Sequence, residues 1–332
     1  MERQAPAVPP SGVLVFGRIS YDLNPLEWNT ALEDVRTFER SVGGFAGNVA
    51  TGLARLDVPT AILSAVGDDP HGRYVRKWLD DEGVDTSLLL VHPTLRTALA
   101  FYESWPPDRF PITLFRSPTA PDWEISSDQV PLDRIERAST LLISGTGLAR
   151  PASFETTRTL VAAQRAARAP GRRVVLDLDW RPMAWDGAED FAERVGVILP
   201  GVDVIVGGDQ EFEAAGLSPG ALAQAGSMLV IVKHGPDGAS VGTAAGFVDV
   251  PGLAIEVTTG LGAGDAFVAA LVASLHQGRP PEEAVRRGNA AGAIVASRPM
   301  CSPAMPRMGE IDDLLRDGIL APTARTEARA TS

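Results

Sequence analysis

The sequence predicts an α/β fold, a mainly parallel sheet covered by helices on both faces, and three observations lead there. Short uninterrupted apolar runs recur along the chain, as they do in strands buried on both sides. Longer stretches of helical patterning separate most of them, the rhythm of strand–helix–strand crossovers. The chain has 332 residues, 45% hydrophobic and 22% charged, close to the globular average. That is enough for one large domain or two small ones, with roughly three quarters of the unfolded surface buried.

Val13–Phe16 (VLVF) is the first predicted strand. Ala61–Val66, Leu141–Ser144, Val174–Leu178, Val204–Val206 and Leu229–Val232 follow, each with turn residues nearby. Predicted helices are Asn48–Leu56, Arg73–Glu82, Phe154–Ala169, Glu189–Leu199 and Ala221–Ala225. Residues 18–40 and 96–117 break the alternation. They hold strand-like pieces at Val35–Phe38, Thr97–Glu103 and Ile112–Arg116, with no helix between neighbours. The segment WPPDRFP (Trp105–Pro111) reads as a proline-rich turn. Such strands would pair as a small β lid over a ligand cleft, with Arg96 and Arg116 facing it, or form an ordinary hairpin on the rim. Residues 1–10 and 321–332 read as loose tails, which leaves 12–317 as a single domain.

Thirty basic and 42 acidic residues give a net charge of −12. Such a surface repels nucleic acid and anionic lipid, so neither is an expected partner. Only Lys77 and Lys233 among the cations are lysines, which reads as base composition. A lone cysteine, Cys301, excludes a disulfide within the chain, and the four histidines show no metal-ligand spacing. No apolar run reaches membrane-spanning length, and MERQAPAVPP lacks the apolar core of a signal peptide, so a cytoplasmic setting is expected.

The most informative stretch is GLGAGDAF (260–267), which runs straight into AFVAALVASL, apolar on every side. A glycine-rich turn feeding a buried helix presents unpaired N–H groups and the positive end of the macrodipole, a seat for phosphate. Asp265 beside that seat could accept a proton from an attacking hydroxyl, or simply cap the helix. A second constellation, GGFAGNVA (43–50), offers Gly43 and Gly44 for close backbone approach. Its Asn48 offers a donor and an acceptor, or an ordinary helix cap. A Walker phosphate loop is excluded because neither lysine follows a glycine. The segment after the first strand, GRISYD, lacks the dinucleotide-binding glycines.

GG-x-x-x-N-x-A early, VGDDPHG at 66–72 and G-x-GAGDAF late together resemble the ribokinase-like (PfkB) carbohydrate kinase family over residues 12–317. The resemblance implies a doubly wound α/β domain with a small β-sheet lid, ATP and Mg²⁺ as cofactors, and phosphoryl transfer to a sugar hydroxyl. It also implies a homodimer formed through the lid. GRISYDL, HPTLRTALAF, SGTGL, DLDWRPMAW and CSPAMP are similar to the branch that phosphorylates keto-deoxy sugar acids. Arg181 falls just past a strand end, where open α/β sheets bind ligands, and its fork suits a carboxylate. It could equally pair with Asp177 or Asp179. Arg116 is the second candidate for the acid, and Asp22 and Asn48 would bind sugar hydroxyls.

By the same resemblance Asp265 is the base, and the amides of Gly262, Ala263, Gly264 and Asp265 form an anion hole. Lys233, Gly235 and Gly238 in KHGPDG (233–238) would line the ATP groove. Asn289 would adjoin the adenine or only pack its helix. Two departures stand out. Gly208-Asp209-Gln210-Glu211 replaces Asn-x-x-Glu, leaving Glu211 to meet Mg²⁺ through water. Thr259 stands where many relatives have aspartate, which weakens the case for a monovalent cation. A neutral-sugar kinase and a non-catalytic sugar-binding protein are the competing readings.

Overall fold

Nine strands form the main sheet of the computed structural model, which describes residues 12–318 apart from 107, 108, 168 and 170. Both expected tails lie outside the described residues. The first strands in chain order are β1 (Val13–Phe16), β2 (Ser20–Pro25), β3 (Phe38–Gly43), β4 (Thr60–Gly67) and β5 (Asp85–His92). Next come β6 (Leu99–Tyr102), β7 (Ile112–Phe115), β8 (Thr140–Ser144) and β9 (Arg173–Asp177). The last are β10 (Val204–Gly208), β11 (Leu229–Lys233), β12 (Gly238–Thr243) and β13 (Gly246–Pro251). The main sheet runs β13-β12-β11-β10-β9-β8-β1-β4-β5, parallel except for the antiparallel pairs β11–β12 and β12–β13. A separate four-stranded sheet has the order β3-β2-β6-β7.

Pleating sends alternate side chains of each central strand into two cores. In β1, Val13 and Val15 join one cluster while Leu14 and Phe16 join the other. The first layer holds helices Phe45–Arg55, Pro70–Asp81, Ala263–His276 and Pro281–Ala296. The second holds Pro151–Ala166 and Ala188–Ile198. With both faces covered, continuous apolar runs are what the strands require. Helix Ala263–His276 is buried from Ala266 through Leu275. Small residues let its neighbours close in: a Cβ on Gly52 would sit 2.8 Å from the Cβ of Ala269.

Several expected boundaries move. The predicted strand Val35–Phe38 is instead β3, Phe38–Gly43, because its exposed half carries Glu39 and Arg40 and hides the pattern. Val35 closes a short 3₁₀ turn at Leu32–Asp34. The helix expected from Asn48 starts at Phe45, with Gly44 as its N-cap, so Asn48 is not a cap. β12 (GASVGT) and β13 (GFVDVP) mix glycine with polar residues and carry no apolar run to signal them. The small sheet spans Ser20–Gly43 and Leu99–Phe115 and extends past the expected limit at residue 40.

Candidate active site

The chain leaves β1 toward β4 on one side and returns to β8 on the other, so strand order reverses at β1. Open α/β sheets bind ligands at the carboxyl ends of strands beside such a reversal. A cleft of about 470 Å³ lies there, lined by Arg18, Asn48, Tyr102, Arg116, Arg181 and Asp265 among others. A wider groove of about 1020 Å³ adjoins it, lined by Trp180, Glu211, Lys233, His234 and Asp249. Arg181 borders both.

The glycine turn behaves as its composition requires. Gly262 caps helix Ala263–His276 in the left-handed conformation, φ 78°. A Cβ there would lie 2.9 Å from the Cβ of Cys301, so glycine is needed for space as well as for backbone shape. The first intrahelical bond runs from Ala266 N to Gly262 O. The amides of Gly262, Ala263, Gly264 and Asp265 donate to no acceptor among the described residues. Asp265, half-buried in that first turn, accepts from Asn48 Nδ2 at 2.7 Å. Asn48 Oδ1 in turn accepts from Ser302 Oγ at 2.7 Å, so both ends of the amide are engaged by protein.

Electrostatics around Asp265 are set by burial, three charged side chains and one amide. Burial and the Asp179 carboxylate push Asp265 above the ordinary carboxylate range, while Arg18, Asn48 and Arg181 pull the other way. Asp179 shows the opposite balance: burial works to raise it, but Arg18 and Arg181 hold it below its usual value. Arg18 Nη2 and Arg181 Nε each lie 3.2 Å from Asp179 Oδ1, and Thr146 Oγ1 donates to Oδ2 at 2.7 Å. Asp179 itself has φ 35°, a left-handed backbone that aspartate tolerates and these contacts hold in place.

The expected sugar-side residues divide. Gly44 lines the cleft; with φ 78° and a virtual Cβ 2.6 Å from Arg18 O, it permits the approach of the two chain segments. Gly43 backs onto Asp22 instead, and a Cβ there would overlap its carboxylate. Asp22 is 1% exposed and does not open on the cleft; it accepts from Ser20 Oγ at 2.6 Å and Tyr102 OH at 2.7 Å. Burial raises its carboxyl to about 6 despite those bonds. Tyr102 and Ser20, not Asp22, are what the cleft meets.

Arg116 reaches the cleft wall, but its Nη2 is committed to Asp122 Oδ1 at 2.6 Å and its guanidinium lies 4.2 Å from the Trp123 ring. Asp122 Oδ2 also accepts from Ile19 N at 2.7 Å. Arg96 does not face the cleft: it sits in the turn between β5 and β6, away from the lining residues.

On the groove side, Lys233 ends β11 with Nζ 3.3 Å from Asp177 and 3.5 Å from Glu211. Gly235 is exposed in a 3₁₀ turn, and Gly238 is buried against the backbone of Val250; neither lines the groove. Asn289 donates both amide hydrogens to the carbonyls of Val250 and Pro251, so it fastens β13 rather than facing the groove. Glu211 accepts from the amides of Gly208 and Trp180 at 2.7 and 3.2 Å. Asp209, also on the groove wall, pairs with His234 Nδ1 at 3.2 Å. Thr259 Oγ1 accepts from Leu261 N.

Arg18, Thr146, Tyr102, Asp122 and Ser302 were not singled out from the sequence, and Asp179 was named only as an alternative partner of Arg181, a pairing the structure shows. Arg18 carried one signal, a cation directly after the first buried strand. Asp177 and Asp179 carried another, two carboxylates closing an apolar run. Asp122 carried none, and Ser302 only its place in CSPAMP, since the contacts to Ile19 and Asn48 join distant segments.

The family profile described as pfkB family carbohydrate kinase matches residues 11–308. A 5-dehydro-2-deoxygluconokinase of Bacillus velezensis is 33% identical over 313 residues, covering 91% of this chain and 94% of that one. One from Geobacillus kaustophilus is 34% identical over 319 residues, covering 92% and 94%. Among solved structures, a PfkB protein from a Polaromonas species superposes with a TM-score of 0.79 at 27% identity, covering 91% and 99%. A putative ribokinase II from E. coli, solved with ATP and Mg²⁺, has a TM-score of 0.83 at 22% identity, covering 92% and 99%.

Proposed function

The chain belongs to the pfkB family of carbohydrate kinases, and from that premise we propose that it phosphorylates the terminal hydroxyl of a keto-deoxy sugar acid, with 5-dehydro-2-deoxygluconate as first candidate. One observation carries the choice of an acid. Arg181 spends only Nε on Asp179, its terminal nitrogens have no partner among the described residues, and its side chain is 53% exposed on the cleft. A free planar fork is suited to a carboxylate in two-point contact. The names of the similar proteins support the same substrate class. 2-Dehydro-3-deoxygluconate shares that chemistry.

ATP occupies the groove and the sugar acid the cleft, so that the two meet at the Asp265 turn. Asp265 takes the proton of the terminal hydroxyl as its oxygen bonds to the γ-phosphorus and the bond to ADP breaks. Asn48 fixes the carboxylate by its 2.7 Å bond, and Ser302 fixes Asn48. The free amides of residues 262–265 receive charge that develops on the transferred group, without reorganising during the step. Arg18 stabilises the same region while Asp179 holds its orientation.

When bound, Mg²⁺ neutralises the triphosphate. Among the described residues no three His, Cys, Asp or Glu side chains form a cage for an ion. A pair of carboxylates, Glu211 and Asp209, suits a small cation that keeps most of its waters. Glu211 and Asp209, both on the groove wall, would hold those waters. This reading assigns no role to a monovalent cation.

A neutral-sugar kinase is the second reading, favoured by the position of Arg181 on both cavities, where it could serve phosphates alone. ADP release across keto-deoxy acids and neutral sugars separates the two. Arg181→Ala should raise KM for the acid by one to two decades, about 1.4–3 kcal/mol for a charge-assisted bond. Equal losses with a neutral sugar would discard the carboxylate role. The reading also places a second copy of the chain on the small sheet's face away from Tyr102. There Phe101 packs edge to face on Phe38 and Phe115, and Phe115 is 58% exposed. Sedimentation of wild type against Phe115→Ser tests that pairing.

A further inference from the structure

We propose that Lys233 is a catalytic residue whose ammonium leaves Asp177 and Glu211 to contact the γ-phosphoryl group of bound ATP and keeps that contact through transfer. The inference rests on the kinase reading and adds a group that the anion turn and the base do not supply. Lys233 Nζ has three carboxylate oxygens near it, at 3.3 and 3.4 Å on Asp177 and 3.5 Å on Glu211. Each distance exceeds the roughly 2.7–2.9 Å of a formed charge-assisted bond. The ammonium is thus held by long bonds to Asp177 and an ion pair with Glu211, with no short bond to either.

Its other neighbour is the helix start. A Cβ built on Gly264 would lie 3.8 Å from Nζ, with no side chain between them. Gly264 belongs to the run of amides that lack acceptors. An anion seated on those amides therefore sits beside the lysine. Asp177 and Glu211 are already served elsewhere: Asp177 Oδ1 accepts from Asp179 N at 2.9 Å, and Glu211 accepts from two backbone amides. They can release Nζ without losing all their donors. Both carboxylates raise the lysine above its ordinary value, so it stays a three-donor cation. With only two lysines in the chain, a compact ammonium at this spot is also a departure from its use of arginine elsewhere.

Calorimetric titration of wild type, Lys233→Met and Lys233→Arg with ATP and with ADP, without sugar, tests the contact separately from the sugar assignment. Turnover of the wild type on keto-deoxy acids is measured beside it. Lys233→Met should lose about 10- to 100-fold in ATP affinity and much less in ADP affinity, as expected for a charged bond to the terminal phosphate alone. Lys233→Arg keeps the charge and guards against a folding defect; its kcat should fall at least roughly tenfold, because a planar fork cannot replace a point charge at one oxygen. Equal ATP and ADP losses in Lys233→Met, or wild-type kcat in Lys233→Arg, overturn the proposal. Failure of all sugar acids as substrates would leave the ATP–ADP comparison readable.

Discussion

Asp265→Asn and Asn48→Ala perturb the same 2.7 Å bond from its two ends and should fail differently. Asp265→Asn removes the proton acceptor and keeps the shape. A general base contributes roughly 10²–10⁴ in rate, about 2.7–5.4 kcal/mol of barrier, so kcat should fall by at least two decades at every pH. ATP binding should survive, because the turn amides belong to the backbone. Asn48→Ala leaves the base in place but deletes a contact that holds Asp265 down, against the burial and the Asp179 charge that push it up. A hydrogen bond to a charged group is worth about 1.5–3 kcal/mol, or roughly 1–2 pH units.

The sign follows from the role. A base must be deprotonated, so activity is lost as pH falls through its pKa, and raising that pKa moves the acid limb of the kcat profile upward. Asn48→Ala should therefore recover part of its rate at high pH, whereas Asp265→Asn should not. A coupled ADP-release assay across pH reads both. An Asp265→Asn kcat within about threefold of wild type, or an Asn48→Ala limb that stays put or moves down, would refute the assignment of the base.

Two stability measurements probe the cleft wall. Asp22 is raised from 3.8 to about 6 in the fold, so the protein favours its neutral form. The associated stability is complete below about pH 4 and is lost as pH rises through about 6, some 3 kcal/mol in all. Urea melts of wild type and Asp22→Asn should diverge by that order between pH 4 and 7, with wild type losing ground; a pH-independent difference contradicts the burial argument. Asp122→Ala strands the buried Arg116 cation and the Ile19 amide together. Its cost should be about 3–5 kcal/mol, typical of breaking a buried pair by removing one partner; a loss below about 1 kcal/mol would show that the pair is not needed.

Six of the seven parallel strands were legible because strands buried on both faces must be apolar throughout, whereas the edge strand β5, with mixed exposure along DTSLLLVH, was not read. Val13–Phe16 is found as read, and the other five expected strands shift by one or two residues at one or both ends. The small sheet was harder, since β3 pairs through its backbone while Glu39 and Arg40 face water. At the site, the glycine turn announced itself locally: its purpose lies in backbone shape and in a contact one side chain away. Arg18, Thr146 and Asp179 did not, because their meeting is made by three different strand ends. Asp22 misled in an instructive way. A carboxylate in a lid strand suggests a ligand contact, yet Tyr102 from a neighbouring strand covers it.

The fastening of the small sheet has a mechanical consequence. Two of its four connections to the main body, the one after β1 and the one after β7, meet at Asp122, which holds Ile19 with one oxygen and Arg116 with the other. Ile19 lies between Arg18 and the first residue of β2. A swing of this flap wide enough to unseat Asp122 must also slacken the backbone that aims Arg18. Admission of the sugar and alignment of the principal cation are thereby geared to a single rivet, and a cleft sprung open is by construction a cleft out of tune.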